Sequence, residues 1–163
     1  MERYGLAHRI SRKQDRLLDR FRDRSAAAAA GLPATADTFA ALIGEEFALL
    51  VTFRRSGEPV PTPVWFGLQE GRLYVESLAD AGKVRRIEHD RRVRVAPCTS
   101  RGKPSGPFAD GTGRILGAAE EAHAEAALDR HYGLGRRLYV RLGTRLGVRS
   151  AYLELTPTGL ERA

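Results

Sequence analysis

Between Phe47 and Ser77 the chain alternates short β-patterned runs with tight turns, and this rhythm limits the available folds most. Phe47 to Phe53 (FALLVTF) is followed by a Ser56-Gly57 turn. Val60 to Leu68 (VPTPVWFGL) leads to Glu70-Gly71, and Arg72 to Ser77 (RLYVES) follows. Such connections predict an antiparallel meander. Pro61 and Pro63 cannot donate to a ladder, which places the second strand at an edge or a bulge. No G-x-G-x-x-G follows a strand to open a helix, so the dinucleotide-binding pattern of doubly wound sheets is absent.

Downstream, residues 80–90 are too polar for a strand and predict a short helix with Val84 and Ile87 facing inward. Arg92 to Cys98 alternates as a fourth strand, 99–107 is a Gly/Pro loop, and Phe108 to Leu116 is a fifth strand. Ala118 to Tyr132 predicts a helix, 133–147 is a basic segment of ambiguous type, and Tyr152 to Thr156 closes with a sixth strand. Six short strands with late helices predict a mainly β fold with helices: a small, partly open antiparallel barrel.

Upstream, residues 1–30 predict one basic amphipathic helix, with Ile10, Leu17, Leu18 and Phe21 on one face, stopped by Gly31 and Pro33. Thr35 or Asp37 is a candidate cap for a short second helix that buries Phe39, Leu42 and Ile43 and ends at Gly44. The expected organisation is an N-terminal helical extension over 1–33 and a barrel domain over 34–163.

Composition excludes several classes. No apolar run approaches the roughly 18 residues of a spanning helix, and the charged N-terminus lacks the apolar stretch of a signal peptide. A single cysteine, Cys98, rules out an internal disulfide or a cysteine-built metal cluster. The chain reads as cytoplasmic. Its net charge of +7 points to an anionic partner. However, all but three of its 27 basic residues are arginine and asparagine is absent, which also fits a GC-rich coding bias.

Side-chain catalysis finds little support. His8, His89, His123 and His131 form no H-E-x-x-H and pair with no cysteine. Glu45-Glu46 and Glu120-Glu121 are adjacent, so their carboxylates diverge. No nucleophile elbow, phosphate-binding loop of the G-x-x-x-x-G-K type or zinc spacing is present. That pattern points to a borrowed cofactor, and the strongest anion-binding candidate begins at Ser77. A strand ends there, a small-residue loop follows (Ala79 to Gly82), and a helix starts near Lys83. A hydroxyl, an ammonium and exposed helix N–H groups together make a phosphate cradle. Between Lys83 and Lys103 lie eight Lys or Arg against Glu88 and Asp90. Trp65, in the stiff Pro61–Phe66 stretch, reads as core by residue type, although a planar ring could also lie along that strand edge.

Residues 49–102 resemble the pyridoxamine 5′-phosphate oxidase-like superfamily, in particular its coenzyme F420-dependent branch. The resemblance rests on T-x-R-x-x-G-x-P-x-x-x-P-V-W-F (from Thr52) combined with K-x-x-x-I-x-x-D-x-R-V (from Lys83), and extends over most of 38–117. It implies a six-stranded split β-barrel that forms a homodimer with cofactors between subunits. It further implies that Thr62, Pro63, Val64 and Trp65 run along the cofactor ring. Ser77 and Lys83 would hold the phosphate with Arg86 as a helper, and Thr99 to Arg101 would lie near cofactor or substrate. Arg91 departs from the family pattern, in which proline is usual. The implied activity is hydride transfer between F420 and a small-molecule acceptor, with FMN as the alternative cofactor.

No catalytic acid is assigned; Tyr132, Tyr139 and His131 qualify only if the C-terminal segment closes over the cleft. Two other classes fit parts of the chain. A cofactor carrier would need the same binding residues. A nucleic-acid binder would use the six arginines of 130–149 with Tyr132 and Tyr139, but Gly133, Gly135, Gly143 and Gly147 interrupt a single recognition helix.

Overall fold

A computed structural model describes residues 24–133 and 149–161. Its strands are β1 (Phe47–Phe53), β2 (Pro59–Val64), β3 (Gly67–Gln69), β4 (Arg72–Leu78), β5 (Arg92–Cys98), β6 (Ala109–Ile115) and β7 (Ser150–Pro157). They form one seven-stranded sheet in the order β2-β1-β5-β6-β7-β4-β3, with every pairing antiparallel. The two outermost strands are consecutive in the chain, separated only by Trp65 and Phe66. The sheet therefore curls back on itself into a barrel left open along one seam.

The expected count of six strands is corrected to seven because Val60 to Leu68 is two strands. Val64 still pairs with Ala48 of β1, whereas Gly67 pairs with Tyr74 of β4. At the corner, the Phe66 N–H leaves the ladder and donates to the Tyr132 hydroxyl at 2.9 Å. β2 lies at the sheet edge, where its prolines require it to be.

Alternation along β1 builds two layers. Ala48 and Leu50 point into the barrel with Val64, Phe66 and Leu153, and Val84 and Ile87 of α2 (Gly82–His89) close its end as expected. Leu49 and Val51 point outward beneath Ala26 and Ala30 of α1 (Arg24–Ala30). Residues 1–23 of the expected long helix lie outside the described residues. Across the barrel, α3 (Glu121–Tyr132) lays Ala124, Ala127 and Leu128 over Tyr74 and Tyr152. Gly67 permits this close contact, since a Cβ there would come within 2.4 Å of the Ala127 carbonyl carbon. A final turn, α4 (Thr158–Glu161), ends the described chain.

Two helical expectations change. The second helix is only a 3-10 turn (Ala40–Leu42); Phe39 and Leu42 are buried, but Ile43 is 73% exposed. Neither Thr35 nor Asp37 caps it; Thr38 Oγ1 accepts the Ala40 N–H instead. α3 starts at Glu121 rather than Ala118, because the Glu120 carboxylate turns back to Arg114 and the Gly117 N–H. Among the described residues no helix is long and apolar enough to cross a membrane.

Candidate phosphate-binding site at the barrel seam

β3 covers β4 only over Arg72–Tyr74, while β4 continues to pair with β7 as far as Leu78. On that side, Val75–Leu78 of β4 and Pro59–Val64 of β2 border the seam. Ser77 sits near the end of β4 and is buried, being 7% exposed. The chain then turns through Ala79–Ala81 into α2, whose N-terminus has no side-chain cap.

Lys83 Nζ donates to Ser77 Oγ at 3.0 Å, which joins the predicted hydroxyl and ammonium directly. One turn on, Arg86 Nε donates to Thr52 Oγ1 at 2.7 Å, with Thr52 fully buried on β1. The guanidinium folds over the first turn of α2; a Cβ at Gly82 would lie 2.8 Å from Nη1. An ammonium at Ser77, a guanidinium over Gly82 and the positive end of a helix with no side-chain cap thus belong to one strand–turn–helix unit. Positive charge at a helix N-terminus is unfavourable by itself and becomes favourable around an anion. The arrangement suits a phosphate.

The β2 residues divide. By register, Thr62 and Val64 share the faces of Leu50 and Ala48 and turn toward the barrel interior, where Val64 is core. Pro63 shares the outer face with Leu49. Trp65 is not core: it is 44% exposed at the corner. Its ring centroid lies 5.6 Å from that of Tyr132. The exposed Thr99 and Arg101 belong to a tight turn in which the Gly102 and Lys103 N–H groups bond to Thr99. This turn lies over β2, because Gly102 packs beside Pro63 and Leu49. None of its hydrogen bonds reaches Ser77 or Lys83.

Three arginines of the basic run from Lys83 to Lys103 are engaged within the fold. Arg91 Nε donates to the Gly113 carbonyl, Arg92 grips Asp90, and Arg94 pairs with Asp110 at 2.7 Å. Arg94 also donates to the Ala30 and Leu32 carbonyls, capping the C-terminus of α1. Arg91 and Arg94 thus tie neighbouring elements together, whereas Arg92 makes an exposed local pair.

The two described candidates for a proton donor, Tyr132 and His131, are engaged. Tyr132 OH accepts from the Phe66 N–H and donates to the Glu46 carbonyl at 2.7 Å. His131 Nε2 lies 2.9 Å from the Glu45 carbonyl, and its ring packs against Phe66. Tyr139, and the arginines of 130–149 other than Arg130 and Arg149, lie outside the described residues. Among the described residues no cluster of three His, Cys, Asp or Glu is placed to hold a metal. Burial, with Glu45 adding to it, pushes the Cys98 thiol up to about 12, so it remains an unreactive thiol at neutral pH.

Two features escaped the sequence reading. Thr52 heads the T-x-R motif, but only the fold reveals its bond to Arg86. Glu154 is 7% exposed and accepts from Arg72, Arg114 and Tyr74. Burial alone would raise its carboxyl, but the hydrogen bonds from Arg114 and Tyr74 and the nearby guanidiniums hold it below the usual range. The same burial and the Glu154 charge push the Tyr74 phenol up to about 12.

No family model and no curated protein sequence matches the chain. Solved structures do. A protein of unknown function from Agrobacterium tumefaciens superposes with a TM-score of 0.57 at 21% identity, over 71% of this chain and 49% of that one. A Bacteroides thetaiotaomicron protein proposed to confer 5-nitroimidazole antibiotic resistance gives 0.55 at 14% identity, over 77% and 81%. HutZ, the haem storage protein of Vibrio cholerae, gives 0.53 at 14% identity, over 71% and 83%. At these identities the likeness shows a shared fold.

Proposed function

We propose that this chain, by its fold a pyridoxamine 5′-phosphate oxidase-like split barrel, binds coenzyme F420 and transfers a hydride between it and a small-molecule acceptor. The observation that carries this reading is the junction of Ser77, Lys83 and the first turn of α2 beneath Arg86. When bound, the coenzyme supplies two-electron hydride chemistry, which leaves binding, orientation and exclusion of water to the protein.

In this reading Ser77 and Lys83 hold the phosphate, and Thr52 keeps the Arg86 guanidinium in place beside it. The edge of β2 from Thr62 to Trp65 guides the ring, and Thr99 and Arg101 border its exposed side. Acceptors would be electron-poor small molecules, the class to which 5-nitroimidazoles belong. A second copy of the chain would complete the cleft. Trp65 leans on Tyr132, which donates to the Glu46 carbonyl, and Trp65 and Ile43 are both exposed apolar side chains that such a partner could cover.

FMN is the second reading, because its phosphate suits the same cradle. Haem fits less well, since the His131 Nε2 would have to give up the Glu45 carbonyl. Fluorescence-quenching titrations with F420 and with FMN at two salt concentrations test the proposal. Saturable F420 binding with weaker FMN binding supports it, and preference for FMN shifts the assignment to a flavoprotein. Binding of neither removes the cofactor reading.

A further inference from the structure

We propose that Pro61 and Pro63 select the cofactor ring. They leave the seam-facing edge of β2 with carbonyl acceptors and no N–H donor, an edge that favours a 5-deazaflavin over a flavin. The inference rests on the cofactor reading above and adds residues that decide between its two candidates.

β1 and β2 pair over six residues: Thr52 opposite Val60, Leu50 opposite Thr62 and Ala48 opposite Val64, with Pro59, Pro61 and Pro63 at the alternate positions. In an antiparallel pair, opposed residues alternate between those that exchange both N–H···O bonds and those that exchange none. A proline cannot donate, so Val60, Thr62 and Val64 carry the bonds to β1. The three prolines turn the other way, toward the seam, and present carbonyl oxygens alone. An ordinary edge would show alternating donors and acceptors. Among the described residues no turn, loop or cap N–H ends on these three carbonyls. The donor-free stretch runs from Pro59 to Pro63; beyond it come the Trp65 N–H at the corner and the Phe66 N–H, which donates to Tyr132.

A ring lying along this edge must therefore offer hydrogens. An oxidised flavin carries an acceptor nitrogen at position 5 next to its C4 carbonyl, so its lone pairs would face those of the strand. A 5-deazaflavin carries a C–H at that position, which a carbonyl accepts as a weak contact. Pro61 and Pro63 thus tune selectivity through the donors they remove, while the phosphate cradle treats both cofactors alike.

The test compares FMN with 5-deaza-FMN, which share one ribityl phosphate and differ only at ring position 5. Wild-type protein is expected to bind 5-deaza-FMN roughly tenfold more tightly, about the effect of one unmade hydrogen bond. In Pro61→Ala/Pro63→Ala, which restores two N–H groups, the ratio should fall toward one through stronger FMN binding, with 5-deaza-FMN unchanged. Equal or tighter FMN binding by the wild type overturns the inference and leaves the cradle intact. An unchanged ratio in the folded double variant also overturns it. Binding of neither analogue overturns this inference, while the F420 titration decides the cofactor reading separately. Lys83→Ala serves as the control and should weaken both analogues by the same factor.

Discussion

Arg86 reaches from α2 to β1 and donates its Nε proton to the buried Thr52 hydroxyl at 2.7 Å. That bond joins the two halves of the sequence pattern, which lie 34 residues apart, and aims a guanidinium at the start of α2. Thr52→Val keeps the shape and deletes the acceptor. A hydrogen bond to a charged group contributes about 1.5–3 kcal/mol, partly offset here by the apolar methyl gained. Urea denaturation should show a loss of about 1–2 kcal/mol. F420 affinity should fall severalfold, and an unchanged affinity would separate Arg86 from the site.

In the proposed reading Lys83 Nζ, which donates to Ser77 Oγ, is a direct phosphate ligand. Lys83→Ala should cost about 1.5–3 kcal/mol of cofactor affinity, the range for a charge-assisted hydrogen bond, while the unfolding midpoint barely moves. Isothermal titration against a denaturation curve separates the two effects. A variant that binds as well as wild type would remove Lys83 from the phosphate site.

Two glycines should respond to alanine for different reasons. Gly67→Ala places a Cβ 2.4 Å from the Ala127 backbone, so α3 must move away from the corner. The expected loss is about 3 kcal/mol or more. Gly57 has a φ of +84°, and a methyl group there would meet nothing within 4 Å. Gly57→Ala therefore encounters backbone strain alone, about 1 kcal/mol. Similar losses at both sites would argue against the tight β3–α3 contact.

The Glu154 network should contribute to the acid limb of stability. Its carboxyl is depressed in the folded state, while the unfolded chain ionises near a pKa of about 4.3. The contribution is therefore complete above that value and is lost as pH falls toward the folded pKa. Glu154→Gln should be less stable than wild type at pH 7, and the gap should narrow by pH 3. At the other end, the Tyr74 phenol at about 12 adds a loss that begins near pH 10, where an unfolded tyrosine ionises. A constant gap between Glu154→Gln and wild type across the acid range would contradict the depressed carboxyl.

Arg94 supplies the positive charge that the last turn of α1 lacks. Arg94→Ala frees the Ala30 and Leu32 carbonyls. Limited proteolysis around Leu32 should then quicken, with the barrel still folded. Equal cleavage rates would show that α1 is held by its alanine face alone.

Local pattern carried much of this fold into the sequence. Val84 and Ile87 announce the buried face of α2, and the β2 prolines announce an edge. The Ser77–Lys83 pair was legible because both belong to one strand–turn–helix unit. What escaped depends on distant partners. The break at Trp65–Phe66 requires Tyr132, 66 residues away from Phe66, so nothing near it marks the corner, and Trp65 looked like core. Arg91, Arg92 and Arg94 resemble Lys83 and Arg86 in sequence and differ only in what the fold sets opposite them. Glu154 alternates outward on β7 as a solvent-facing acid would, yet Arg72, Arg114 and Tyr74 enclose it.

The most direct measurement is a crystal structure of the protein grown with F420. The phosphate should lie within hydrogen-bond distance of Ser77 Oγ, Lys83 Nζ and the first turn of α2, with the ring along the β2 edge from Thr62 to Trp65. A phosphate bound elsewhere, with Lys83 still donating to Ser77 and no ligand at the seam, would contradict the account.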